Sequence, residues 1–262
     1  MTIRMSPFKA VAVVCSVLII AFIVLPLMEM TKQPSLTSLW ETVRDPDVIQ
    51  AIWLSVYASG LASIIAFVVG TPCAYLLARR DFVGKRFLES LIDLPIMIPH
   101  PVIGIAILSI AGRGHWLGDI LGEMGIRILS SLTGLVIVLT YVGLPFYVNT
   151  VKAGFESVSP RLENVSRSLG ASMTGTFFRV TMPLAWRSML VGAIMCCARA
   201  ISEFGAVVIV AYHPITAPVL IYERFTAHGL AYSQPVAVWL IIVCLILFFI
   251  LRALCSPEAK EQ

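Results

Sequence analysis

The sequence predicts an all-α, multi-pass membrane protein with six transmembrane helices and both termini in the cytoplasm. Three observations carry that prediction: an apolar composition, six apolar stretches of spanning length, and an uneven distribution of basic residues between the loops. Of the 262 residues, 58% are hydrophobic and only 13% are charged, whereas a water-soluble domain has about a quarter of its residues charged. The solvent for much of the chain is therefore lipid. A net charge of +4 without a concentrated basic patch excludes a nucleic-acid partner.

A spanning helix needs roughly 20 mainly apolar residues, and stretches at about 8–28, 48–78, 88–111, 132–151, 189–212 and 235–255 qualify. The first follows Arg4 and Lys9 but is too long for a signal-peptide core, and no small-residue cleavage site follows it. It is read as a retained first helix. Orientation follows from Lys and Arg, which accumulate in cytoplasmic loops. With the N-terminus inside, the cytoplasmic segments hold Arg4, Lys9, Arg79, Arg80, Lys85, Arg86, Lys152, Arg161, Arg167, Arg179, Arg187, Arg252 and Lys260. The outer loops hold fewer: Lys32, Arg44, Arg113, Arg127 and Arg224.

Two of the stretches contain features that a lipid-facing helix avoids. Pro95, Pro99 and Pro101 interrupt the third, and each removes a backbone hydrogen bond. Broken backbone at membrane depth is tolerated where protein buries it or water lines it. Asp93 and His100 flank this break, Asp93 within reach of cytoplasmic water and His100 a polar residue between helices. In the fifth stretch Arg199 and Glu203 are spaced for one helical face, with Ser202 between them and Gly205 just beyond. Charges within a span are costly, so they pair or face a cavity. Both a structural ion pair and a lining of the solute pathway or gate remain open for His100, Arg199, Ser202, Glu203 and Gly205. Tyr212-His213-Pro214 is expected to end that span outside.

The connection at 153–188 is much longer than the roughly 2–8 residues that join antiparallel helices. Ser159-Pro160 has the chemistry of an N-cap followed by a first-turn proline, and Glu163 follows in the first turn. Leu162, Val165 and Leu169 form one apolar stripe, and Gly170 is placed to end the helix in the left-handed conformation. A second short helical run with Phe177, Phe178 and Val180 is expected to end at Met182-Pro183. Periodicity alone leaves two uses for this insert: an amphipathic rest in the headgroups or a docking helix for a cytoplasmic partner.

Gly170, nine further residues, then Val180-Thr-Met182-Pro183 resembles the cytoplasmic signature of binding-protein-dependent ABC importer permeases, E-A-A-x-x-x-G, nine residues, I-x-L-P. Asn164-Val165-Ser166 stand at the E-A-A positions, with Glu163 one residue early. The resemblance implies that Glu163, Asn164, Val165, Ser166, Leu169, Gly170 and Pro183 belong to a helix that couples to an ATPase. A second resemblance covers about 55–240. Asp93-Leu-Pro-Ile-Met-Ile-Pro-His100, Arg199-Ala-Ile-Ser-Glu-Phe-Gly-Ala206, Ala211-Tyr-His-Pro214 and Ala217–Arg224 are similar to molybdate/tungstate permeases of archaeal type. Sulfate permeases share a related E-F-G-A stretch.

The resemblance implies a type I importer permease fold, a homodimer of this chain, two cytoplasmic ABC ATPase subunits and an extracytoplasmic oxyanion-binding protein, assembled in the cell membrane. No phosphate-binding loop of the G-x-x-x-x-G-K-[S/T] kind occurs. The chain is therefore expected to be a non-catalytic transport subunit without a cofactor. The six cysteines form neither a C-x-x-C nor a Cys/His cluster, so neither a disulfide framework nor a metal site is expected. An intramembrane enzyme would need a nucleophile–base pair or a His/Glu metal set, which the spans lack. A stand-alone ion-coupled carrier would need no cytoplasmic insert.

Overall fold

The computed structural model describes residues 7–255, so the Arg4 and Lys260 of the charge argument lie outside the described residues. Among the described residues five helices are long and apolar enough to cross a membrane, and a pair bent by 113° brings the number to six if it is taken as one span. In chain order, α1 (Pro7–Lys32) is followed by a short outer helix α2 (Leu36–Arg44) and the long α3 (Pro46–Arg79). Next come α4 (Lys85–Met97), α5 (His100–Ala111), the outer α6 (Trp116–Glu123) and α7 (Leu132–Ser157). The cytoplasmic insert contains α8 (Pro160–Ser168) and α9 (Met173–Thr176). A π-turn at Phe177–Thr181 leads into α10 (Met182–Ile201), then α11 (Val207–Val210), α12 (Ala217–His228) and α13 (Leu230–Cys255).

Helix starts follow local chemistry. Ser35 and Ser131 accept from the backbone N–H of Ser38 and Gly134, capping α2 and α7. Asp45 accepts from the Asp47 N–H at 2.9 Å and leads into Pro46, which fixes the backbone for the first turn of α3. Asp45 also pairs with Arg224 of α12, joining two outer elements. Burial pushes the Asp45 carboxyl up, but the Arg224 hydrogen bond, the Asp47 N–H, the Arg224 charge and the Val48 N–H together outweigh it and hold the group below its ordinary value.

The core is a three-helix bundle of α3, α7 and α10. Lipid tails are as apolar as leucine, so these helices associate through close packing and interhelical hydrogen bonds. One face of α3 carries Ala51, Ser55, Ala58, Ser59, Ala62, Ser63, Ala66, Gly70 and Ala74, all buried, at helical spacing. Ser63 donates to the Ala193 carbonyl at 2.8 Å, and the Thr71 and Tyr147 hydroxyls meet at 2.7 Å. Between α7 and α10, Gly143 packs on Cys196 and Gly154 on Ser188. A Cβ on Gly154 would lie 2.2 Å from the Ser188 Cβ, so the helices must separate to admit one. Gly154→Leu is expected to cost about 1–3 kcal/mol and to lower the unfolding midpoint in detergent. Gly60→Ala, which meets nothing within 4 Å, is the control. Equal midpoints would contradict the tight α7–α10 contact.

The structure modifies three expectations. The third stretch is two helices bent by 113° at Ile98-Pro99, as its prolines foreshadow. The fifth does not run to Tyr212: regular helix stops at Ile201, and an irregular segment precedes α11. The second helical run of the insert does not end at Met182-Pro183. Pro183 follows directly on the π-turn, where the backbone hydrogen-bond pattern is already shifted, and helical backbone continues through it from Met173 to Ile201.

Candidate functional site

Two sites emerge, one at the cytoplasmic insert and one where the broken spans meet. In the insert, α8 ends as the glycine requires: Gly170 has φ +89°. Its N–H donates to the Arg167 carbonyl, and the Ala171 N–H donates to the Ser166 carbonyl, a Schellman closure. The Ser159 side chain makes no capping bond, although the residue occupies the cap position. Leu162, Val165 and Leu169 are exposed and form the expected apolar ridge, with Leu169 at 84% exposure. Asn164 is also exposed, while Ser166 is half-buried and bonded to the Thr176 hydroxyl at 3.2 Å.

Glu163 is turned inward rather than outward. It is the one buried residue of α8. Its Oε1 accepts from the Arg79 Nε at 2.8 Å and from the Thr181 hydroxyl at 2.9 Å. The Arg79 Nη2 lies 2.8 Å from the same oxygen, with the two side chains only 10% and 12% exposed. The Tyr75 hydroxyl adds a longer contact at 3.4 Å. Sequence reading missed Arg79, Thr181 and Tyr75. The signal available was a second charge at the end of α3, indistinguishable there from ordinary loop charges.

The second site gathers His100, Arg199, Ser202, Glu203 and Gly205 from two breaks. Arg199 Nη2 lies 2.8 Å from Glu203 Oε2, and the His100 Nδ1 lies 3.0 Å from the same oxygen. Arg199 Nη2 also lies 2.8 Å from the His100 Nε2. This arrangement fits an imidazole that donates from Nδ1 and accepts at Nε2. Glu203 Oε1 accepts from the Ala206 N–H at 2.9 Å, so the carboxylate also closes the irregular turn after α10. The Ser202 hydroxyl donates to the Arg199 carbonyl at 3.1 Å.

Gly205 lets these breaks touch: its Cβ would fall 2.9 Å from the His100 Cβ and 3.1 Å from the Pro101 Cδ. Glu203 is sealed at 2% side-chain exposure, while Arg199 keeps 21%. The cluster thus presents a partly open cation whose charge is balanced from behind. Nearer the cytoplasm, Asn149 donates to Asp93 at 2.6 Å and Lys152 to Glu89, fastening α4 to α7. Asn149, Glu89 and Lys152 were not singled out by sequence. Among the described residues, no cluster of His, Cys, Asp and Glu has the makings of a metal site.

Comparison with known proteins agrees with this architecture. Residues 70–256 match the family described as the binding-protein-dependent transport system inner membrane component. The molybdate/tungstate transport system permease protein of Methanocaldococcus jannaschii is 42% identical over 249 residues, covering 95% of this chain and 97% of that one. The sulfate transport system permease protein of Synechococcus elongatus is 30% identical over 226 residues, covering 85% and 81%. In fold, the chain is similar to one from the crystal structure of a bacterial alginate ABC transporter in complex with its pentasaccharide-bound periplasmic protein. There the TM-score is 0.77 at 13% identity, with 97% and 95% coverage. The multi-pass helical architecture, the glycine-closed cytoplasmic insert and the family match over most of the chain agree: this protein belongs to the family of inner-membrane components of binding-protein-dependent transport systems.

Proposed function

We propose that the chain is the permease subunit of an ATP-driven importer that moves molybdate or tungstate across the cell membrane. The observation that carries the choice of anion is the 42% identity with the M. jannaschii molybdate/tungstate permease across almost its whole length, against 30% with the sulfate permease. In this reading two copies of the chain enclose the pathway. An external binding protein delivers the oxyanion, and two ATPase subunits grip the exposed ridge of α8. Nucleotide chemistry belongs to those partners. Closure of the ATPases opens the pathway outward, and hydrolysis returns it to face the cytoplasm.

The break-point cluster suits a dianion. Conduction requires attraction strong enough to admit the ion and weak enough to release it. An unpaired arginine in a low-dielectric pathway would hold a dianion tightly. Glu203 offsets that charge from a sealed position, leaving Arg199 able to make a transient contact.

The test is uptake of labelled molybdate into proteoliposomes holding the permease with its ATPase and binding protein. Uptake is expected only with ATP and both partners, and excess tungstate is expected to compete where excess sulfate does not. Effective competition by sulfate would move the assignment to sulfate import. Uptake by the permease alone under an ion gradient would replace the importer with a carrier.

A further inference from the structure

The side chain that fixes the docking helix to the membrane bundle does not face the partner. Every residue of α8 except Glu163 is exposed or half-buried. Beneath the helix lies a cleft of about 980 Å³, lined by Phe67, Thr71, Pro72, Met173, Phe178 and Met182 among others. Apolar packing therefore leaves much of α8 unsupported, and the polar contacts that cross to the bundle converge on one carboxylate.

Those contacts reach four helix ends. Arg79 closes α3, and besides gripping Glu163 it donates from Nη2 to the Val158 carbonyl at 2.9 Å, where α7 ends. Glu163 belongs to α8. Thr181, whose hydroxyl shares the carboxylate, is the last residue of the π-turn that feeds α10. The helices α3, α7 and α10 are the three that build the core. We propose that the Arg79–Glu163 pair is the joint through which displacement of α8 reaches all three core helices at once, with Arg79 as a positioning residue of the transport cycle. The proposal rests on the reading of α8 as the ATPase-docking helix.

The physical case is one of stiffness and direction. An apolar contact slides at little cost because dispersion and burial are non-directional. A charge-assisted hydrogen bond is short, oriented and about twice as strong as a neutral one. The other polar tie of α8, the Ser166–Thr176 hydroxyl contact at 3.2 Å, is neutral and reaches only the neighbouring short helix α9. Arg79 sets Nε and Nη2 against Glu163 and donates from that same Nη2 to the Val158 carbonyl, so a rotation of α8 cannot leave the ends of α3 and α7 where they were. A π-turn beside the pair offers an adjustable length of backbone at the entry to α10.

The experiment uses the full complex in proteoliposomes and reads anions transported per ATP hydrolysed, together with recovery of the ATPase on copurification. Two variants are compared with the parent: Glu163→Gln, and the double replacement Arg79→Met/Glu163→Leu. Replacing a buried ion pair by apolar residues of similar volume is often neutral for stability, so the double variant keeps the test meaningful where the single one folds poorly. The expected result is that the double variant copurifies with the ATPase in normal yield, while transport per ATP falls at least tenfold. An unchanged ratio in assembled complexes would overturn the joint. So would a loss of transport that merely parallels lost copurification, which would make the pair a folding or docking element. If the parent complex itself shows no ATP-dependent uptake, it is the importer reading that fails, and the two failures are thereby told apart.

Discussion

Leu169→Asp is expected to uncouple the importer, lowering transport per ATP by about tenfold or more while leaving membrane insertion intact. Leu169 is the most exposed member of the α8 ridge, at 84% exposure. Its side chain therefore contributes little to the fold of this chain and is available to a partner's groove. Truncating a central apolar anchor of an interface costs upward of ~1–2 kcal/mol, and a carboxylate placed in the same groove adds a desolvation cost. Gly170 provides a companion test. Its φ of +89° disfavours any side chain, yet a Cβ there meets nothing within 4 Å of its own chain. Gly170→Val therefore strains the helix end by roughly 1–2 kcal/mol without a clash inside the permease. Both variants are measured by copurification of the ATPase and by uptake in proteoliposomes. Transport at the parent level in both would remove α8 as the docking helix.

Glu203→Ala is expected to produce the second large loss. The variant leaves Arg199 and His100 without the carboxylate that both engage, and it removes the acceptor of the Ala206 N–H. Removing one partner of a buried pair costs on the order of 3 kcal/mol. The partial exposure of Arg199 places the effect toward the lower end of that scale. The expected readout is a fall of several degrees in the unfolding midpoint, together with impaired uptake or assembly. Glu29→Ala is the control, because Glu29 is exposed and, among the described residues, its ion pair is with Lys32 at 3.6 Å. An exposed pair contributes about 0–1 kcal/mol, so that variant should behave as the parent. Equal, mild effects in both would reduce the cluster to an ordinary surface interaction.

Much of this organisation is legible in the sequence, and the parts that are not share a cause. Apolar length and the bias of Lys and Arg report on solvent, so the spans and their direction can be read directly. The spacing of Arg199 and Glu203 foretells that they pair, although Glu203 lies in the irregular turn beyond α10 and not on its helical face, and Gly170 shows the end of α8, because both depend on local geometry. Partners distant in the chain leave no such trace. Nothing near Glu163 points to Arg79, and nothing near Arg199 specifies that His100 must meet it. The continuation of the insert into α10 is obscured by Pro183, since proline ordinarily interrupts a helix, and the π-turn that lets helical backbone pass through it leaves no mark in the sequence.

The unbroken run from Met173 to Ile201 has a mechanical corollary. At 1.5 Å per residue, its 29 residues form a rod about 40 Å long, with the π-turn near one end and the charged cluster at the other. A tilt of only about 5° about the cytoplasmic end would sweep the far tip by roughly 4 Å, more than the length of the bonds that link Arg199, His100 and Glu203. Gearing of this kind allows a small stroke at the cytoplasmic end to rearrange a polar contact at the far end of the rod.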